Sequence, residues 1–157
     1  MRMARAVLPH MRGAGRGRIV NICSVVSFLP APYMGVYAAT KHALQGFSVS
    51  LDHEVRGSGL RSLAVRPGFT RTAIGANTTF VEHLNADTQR VRNAVEASLA
   101  KADDPKGVAE HILHLLARRN PPSISDVGKE ARALRRLSSL LPARMFDAAF
   151  RRQFGLV

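Results

Sequence analysis

The sequence predicts an α/β fold in which strands and helices alternate, and three observations carry that expectation. The run Gly17-Arg-Ile-Val-Asn-Ile-Cys23 is apolar and β-branched after a glycine-rich stretch, as a buried parallel strand reads. From Tyr37 to about Arg56, the residues Ala43, Leu44, Phe47, Leu51 and Val55 recur at three- and four-residue spacing, the period of a helix packed on one side. Leu60-Arg-Ser-Leu-Ala-Val-Arg-Pro67 is a second strand, closed by the Pro67-Gly68 break. Strand, helix, strand in that order implies a right-handed parallel unit whose ligand edge lies at the carboxyl ends of the strands. Ser24 and Pro67-Gly68 both fall on that edge.

The other elements follow in chain order. Met1 to about Met11, with Ala4, Val7, Leu8 and Met11 apolar, reads as the tail end of a helix. Gly13, Gly15 and Gly17 precede a strand rather than a helix, so they read as a connection. After Ala73 the pattern loosens: Gly75, Asn77, Thr78 and Thr79 read as a loop, and a helix is expected from about Asp87 with Val91, Val95 and Leu99 on one side. Asp103-Asp-Pro-Lys caps a helix from Pro105 to Arg118 whose apolar face holds Val108, Ile112, Leu115 and Leu116. Pro121 to Gly128 is the last strand and its exit turn. Lys129 to Leu141 carries Leu134, Leu137 and Leu141 on one face and Arg132, Arg135 and Arg136 toward another. Pro142 breaks the pattern, and a final basic helix runs to about Phe154.

Composition narrows the class. With 157 residues and 46% hydrophobic content, one compact domain over residues 1–157 is expected. No apolar run approaches the ~20 residues of a membrane span. The basic first turns lack a continuous apolar stretch and do not resemble a secretory signal. Cys23 is the only cysteine, which rules out an internal disulfide and fits a cytoplasmic location. Beside Ser24 it reads as a buried strand thiol rather than a reactive one. His83 reads as a solvated loop residue. His111 and His114, at i and i+3, have metal-permitting spacing but no carboxylate or cysteine partner, so no metal is expected. The formal charge of +12 admits nucleic-acid contact, attraction to anionic lipid, or simple solvation. No aromatic interleaving or nucleic-acid motif accompanies the arginines, so solvation is favoured and a membrane surface comes second.

The chemistry centres on Ser24, Tyr37 and Lys41. A free tyrosine has a pKa near ~10 and is a poor base at neutral pH. Lys41 shares a helix face with Tyr37 at i+4, where an ammonium would favour the phenolate. Such a tyrosine exchanges a proton with an alcohol or a carbonyl. A serine at the end of the preceding strand can hold the same substrate oxygen. The hydride must come from a cofactor, because no side chain supplies one.

Asn21-Ile-Cys-Ser24, Tyr37-Ala-Ala-Thr-Lys41-His-Ala-Leu and Arg66-Pro-Gly68-Phe-Thr-Arg-Thr72 resemble the second half of a short-chain dehydrogenase/reductase. The resemblance implies a truncated Rossmann-like, doubly wound parallel sheet, consisting of the last three strands and flanking helices, followed by C-terminal helices. It implies an NAD(P)-dependent oxidoreductase interconverting a secondary alcohol and a ketone. Ser24, Tyr37 and Lys41 are then catalytic, and the cofactor, NAD or NADP, is contacted by Tyr37, Lys41, Pro67, Gly68, Phe69, Thr70 and Thr72. Residues 73–100 correspond to a substrate lid, and residues 128–157 form a basic tail. The glycine-rich pyrophosphate turn, the Asn-Asn-Ala-Gly strand and the catalytic asparagine of the family are absent from this sequence. The expectation is therefore a partial domain that is inactive alone, with a non-catalytic remnant or interaction protein as the alternative. Family members pair through the helix beginning at Tyr37, so a weakened homodimer is expected. The apolar lid and tail point to a hydrophobic alcohol or ketone such as a steroid, retinoid or long-chain compound.

Overall fold

The computed structural model describes residues 1–73 and 85–156. Helix α1 (Arg2–Ala14) leads through Gly15 into strand β1 (Gly17–Ile22). A single 3-10 turn (Val25–Ser27) and a loop precede the long helix α2 (Gly35–Val55), which returns the chain to strand β2 (Leu60–Pro67). Helices α3 (Ala86–Ala100) and α4 (Pro105–Ala117) lead to strand β3 (Ile124–Val127), and α5 (Lys129–Leu140) and α6 (Ala143–Gln153) close the chain.

The three strands form one parallel sheet in the order β1-β2-β3, with Asn21 beside Ala64 and Val65 beside Ser125. This is the parallel α/β architecture expected from the sequence. Its central strand is buried along its whole length. Burial on both faces explains the near-continuous apolar run. On one face Ala4, Leu51, Val55 and Leu60 pack together with Leu8, Met11, Ile19 and Phe47, joining α1 and α2 to the sheet. On the other, Leu63, Val65, Leu115 and Val127 pack with Val20, Val108 and Ile112 beneath α4.

Several element boundaries and faces differ from the sequence reading. β1 is half-buried rather than buried: among the described residues it pairs with β2 alone, and Ile22 is 43% exposed. Ala43 and Leu116, expected on apolar faces, are exposed, because the stripes that dock α2 and α4 are narrower than their sequence patterns. Gly13 lies inside α1, and only Gly15, with φ 64°, turns the chain out of the helix. The expected loop at Gly75, Asn77, Thr78 and Thr79, and His83, lie outside the described residues.

Two arginines sit within the buried strand, and each has a carboxylate. Asp52, fully buried on α2, accepts Arg61 Nε at 2.8 Å and Nη2 at 3.1 Å, the Ser62 N–H at 2.9 Å, and Arg56 just past the end of that helix. Burial alone would raise its pKa, but the Arg61, Arg56 and Ser62 hydrogen bonds hold the carboxyl well below the usual range. This cluster fixes the C-terminal half of α2 on β2. Nearby, Asn21, Ser48 and Ser62 form a buried hydroxyl and amide cluster joining α2 to both strands. At the entry to β2, Gly59 has φ 76°, and a Cβ there would lie 2.4 Å from the Gly15 carbonyl oxygen. Only glycine fits that crossing.

Candidate active site

The site is assembled where β1 ends. The Ile22–Cys23 peptide donates its N–H to the Val65 carbonyl on β2 at 2.8 Å. A trans peptide points its carbonyl the opposite way, so the Ile22 oxygen faces the open edge of the sheet. Lys41, nearly two turns into α2, donates Nζ to that oxygen at 2.9 Å. The ammonium also stands 5.7 Å from the centre of the Tyr37 ring. Two of its three donor positions remain for another acceptor.

Ser24 lies two residues beyond Ile22 and caps the 3-10 turn. Its Oγ accepts the Val26 N–H at 3.4 Å, while Ser27 Oγ accepts the Ser24 N–H at 3.1 Å. A hydroxyl used as acceptor keeps its own proton to donate. Ser27 is buried, and the turn packs against α2. The structure places Ser24 and Lys41 at the same strand end, with the Tyr37 ring next to Lys41. The loop between Ser24 and α2 holds Tyr33 at φ 58°, a backbone conformation that non-glycine residues seldom adopt.

The loop after β2 lies beside the end of β3. Gly68 N–H donates to the Val127 carbonyl at 3.2 Å, Thr70 Oγ1 donates to the Gly68 carbonyl, and Arg71 N–H donates to the Asp103 carbonyl at 2.9 Å. Asp103 N–H in turn donates to the Phe69 carbonyl, so residues 69–71 run as a short bridge along the chain before α4. Glu130, in the first turn of α5, accepts the Phe69 N–H; burial and the nearby Asp103 charge nevertheless raise its pKa. Arg71 pairs with Asp104 on the surface. Of the cofactor candidates, Pro67, Gly68, Phe69 and Thr70 are therefore held at the strand ends, and Thr72 follows them at the surface.

Three contributors escaped the sequence reading. Arg66 grips Asp126 with Nε at 2.7 Å and Nη2 at 2.8 Å, and its guanidinium lies 4.5 Å over the Phe28 ring in the Ser24 loop. It thereby ties that loop to both β2 and β3. Asp52 and Glu130 act from other elements. Arginines inside an apolar strand were the available signal, since buried charge requires a partner. His111 spends Nε2 on Ser125 Oγ at 3.0 Å, and no cluster of three metal-ligating side chains occurs among the described residues. Burial, His114 and Arg132 all lower the His111 pKa.

A model of the short chain dehydrogenase family matches residues 1–82, more than half of the 157-residue chain. The chain belongs to this family. This short-chain dehydrogenase is 32% identical over 156 residues to the 3-ketodihydrosphingosine reductase of Bacteroides thetaiotaomicron, a match covering 95% of this chain and 58% of that protein. The uncharacterized oxidoreductase YbbO of Escherichia coli is also 32% identical, over 94% of this chain and 51% of that protein. The chain thus spans little more than half the length of these relatives. A short-chain dehydrogenase structure from Streptomyces avermitilis superposes with a TM-score of 0.76 and 30% identity, covering 88% of this chain and 52% of that one. A Burkholderia cenocepacia short-chain dehydrogenase solved with NADP shares the fold at 21% identity and a TM-score of 0.61.

The donor set fits one end of a nicotinamide cofactor. Lys41 offers spare ammonium donors, and the residues from Pro67 to Thr72 lie at the carboxyl ends of β2 and β3, the ligand edge of an open parallel sheet. For the pyrophosphate, no described helix begins with a run of glycines after a strand; α4 is capped by Asp104 and α5 follows the single Gly128.

Proposed function

We propose that this chain carries the acid/base half of an NAD(P)-dependent oxidoreductase interconverting a secondary alcohol and a ketone. The observation that carries the reading is Lys41, whose ammonium is tethered to the end of β1 two residues from Ser24 while standing beside Tyr37. In this reading Ser24 donates its hydroxyl proton to the substrate oxygen and orients it. Tyr37 gives a proton to that oxygen during reduction and takes it during oxidation. Lys41 stabilises the phenolate and binds the ribose hydroxyls of the cofactor. Pro67, Gly68, Phe69, Thr70 and Thr72 line the nicotinamide side. The cofactor, when bound, supplies the hydride.

The preferred substrate is a long-chain apolar ketone or alcohol. Support comes from the apolar tail and from the relative named for 3-ketodihydrosphingosine reduction. A cytoplasmic location is part of the proposal; the structure contributes only that no described helix is long and apolar enough to cross a membrane. Any homodimer through α2 is weak, and sedimentation at micromolar concentration tests that.

The 157-residue chain turns over little by itself, because hydride transfer needs the nicotinamide held about 3–3.5 Å from the substrate carbon. A second reading, a non-catalytic interaction protein, is favoured by the single fact that the chain spans about half the length of its relatives. Titration with NADH and NADPH, followed by fluorescence, and turnover on a panel of secondary alcohols separate the two. Activity that appears when a cofactor-binding half from a relative is added, and disappears with Tyr37→Phe, establishes the oxidoreductase. Failure of every such pairing to bind cofactor assigns the chain to the second class.

A further inference from the structure

The end of the chain forms a helical hairpin that leaves apolar side chains in water. α5 and α6 pack on each other through Phe146 and Phe150, enclosing a groove of about 110 Å³ with Leu134, Leu137 and Leu141. Their outer surface is different: Leu140 is 79% exposed and Met145 60%, and Leu137, although it lines the groove, is still 45% exposed. α6 has no fully buried residue at all. On a helical projection of α5, Arg136, Leu140 and Leu137 share about 100° of arc, and in α6 Arg144, Arg152 and Met145 do the same. Between Lys129 and Gly155 the chain holds seven basic residues and two acidic ones.

Solvation alone accounts for the arginines but not for leucine and methionine exposed among them. An exposed apolar stripe bordered by cations is the pattern of a helix lying in a membrane interface, where the apolar side chains enter the acyl boundary and the guanidinium groups meet phosphate. We propose that the α5–α6 hairpin docks this chain on an anionic phospholipid surface, with Leu137, Leu140 and Met145 as the inserted side chains and Arg136, Arg144 and Arg152 as the phosphate contacts. Charge complementarity selects this occupant: net positive charge around a small apolar stripe matches an anionic bilayer in a way that a neutral surface does not. The inference stands independently of the oxidoreductase reading.

The test is flotation of the 157-residue chain with vesicles of phosphatidylcholine, with and without phosphatidylglycerol. Binding is expected only with phosphatidylglycerol, and it weakens as salt rises from about 0.1 M to 1 M, because the Debye length falls from about 10 Å to 3 Å. Arg136→Gln and Arg144→Gln each lower the partition coefficient about fivefold. Leu140→Asp lowers it about tenfold or more by losing a buried leucine side chain. Leu113→Asp, at a leucine 66% exposed on α4, leaves it unchanged. Circular dichroism verifies folding of each variant, and the glutamine variants keep the test intact if an aspartate variant unfolds. Equal binding to neutral and anionic vesicles, no flotation at low salt, equal loss in Leu113→Asp, or retention on duplex DNA without vesicle binding overturns the proposal.

Discussion

Removing the Asp52 carboxylate tests how α2 is held against the sheet. Asp52→Ala leaves Arg61 buried without its partner and the Ser62 N–H without its acceptor, while the half-exposed Arg56 turns to water. Breaking a buried pair from one side costs about 3–5 kcal/mol. At about 2–4 °C per kcal/mol for a chain of this size, the melting temperature falls by about 6–20 °C. The double variant Asp52→Leu/Arg61→Met replaces the pair with apolar volume and strands no charge, so it should cost less than Asp52→Ala alone. Urea unfolding followed by circular dichroism measures both. The pH dependence gives a second check. The folded Asp52 pKa lies below the unfolded one, so its stabilisation is present above the ordinary carboxylate range and is lost as pH falls through the folded value. Asp52→Asn therefore flattens the acid limb of the stability curve. A cost under about 1 kcal/mol for Asp52→Ala, within the range of ordinary single substitutions, would refute the reasoning; so would an unchanged acid limb in Asp52→Asn.

Three further outcomes are expected. Glu130 has a raised folded pKa from burial, so its contribution is fully present below the ordinary glutamate range and is lost as pH rises through the folded value; Glu130→Gln, which keeps an acceptor for Phe69, should be more stable than the parent at neutral pH and lose that advantage below about pH 4, as urea midpoints across pH will report. Gly59→Ala should cost more than about 2 kcal/mol, since a left-handed backbone and a collision with the Gly15 carbonyl combine, whereas Gly57→Ala, with nothing within 4 Å of its Cβ, should stay within about 0.5 kcal/mol. Cys23 is 3% exposed and burial raises its thiol pKa, so labelling by an aromatic disulfide reagent should be on the order of tenfold slower in the folded chain than in urea; equal rates would contradict its placement.

The sequence made the strand–helix–strand unit legible because each part has its own period: the run Leu60 to Pro67 is apolar enough to be central, and Leu51 and Val55 mark the docked side of α2. The spacing of Ser24, Tyr37 and Lys41 was readable for the same reason, since one helical turn and one strand end fix where they emerge. Position in the sheet was not readable. Ile19, Val20 and Ile22 are as apolar as a central strand requires, yet among the described strands β1 pairs with β2 alone, because local composition does not encode how many neighbours a strand has. The carboxylate partners were hidden as well: Asp126 is 60 residues from Arg66, and Glu130 reaches Phe69 across a similar span. Such pairs exist only once the fold has brought distant segments together.

The tether from Lys41 to Ile22 also bears on what the molecule avoids. An open strand edge is a template for recruiting other chains, and lysine is among the residues that natural sheets place at such edges to discourage it. Here the ammonium sits on the outward carbonyl nearest the end of β1, so this side chain guards the described edge against unwanted self-pairing. A strand arriving along that edge must share or take the Ile22 oxygen. A copy with methionine at position 41 would lose its edge guard together with its cation.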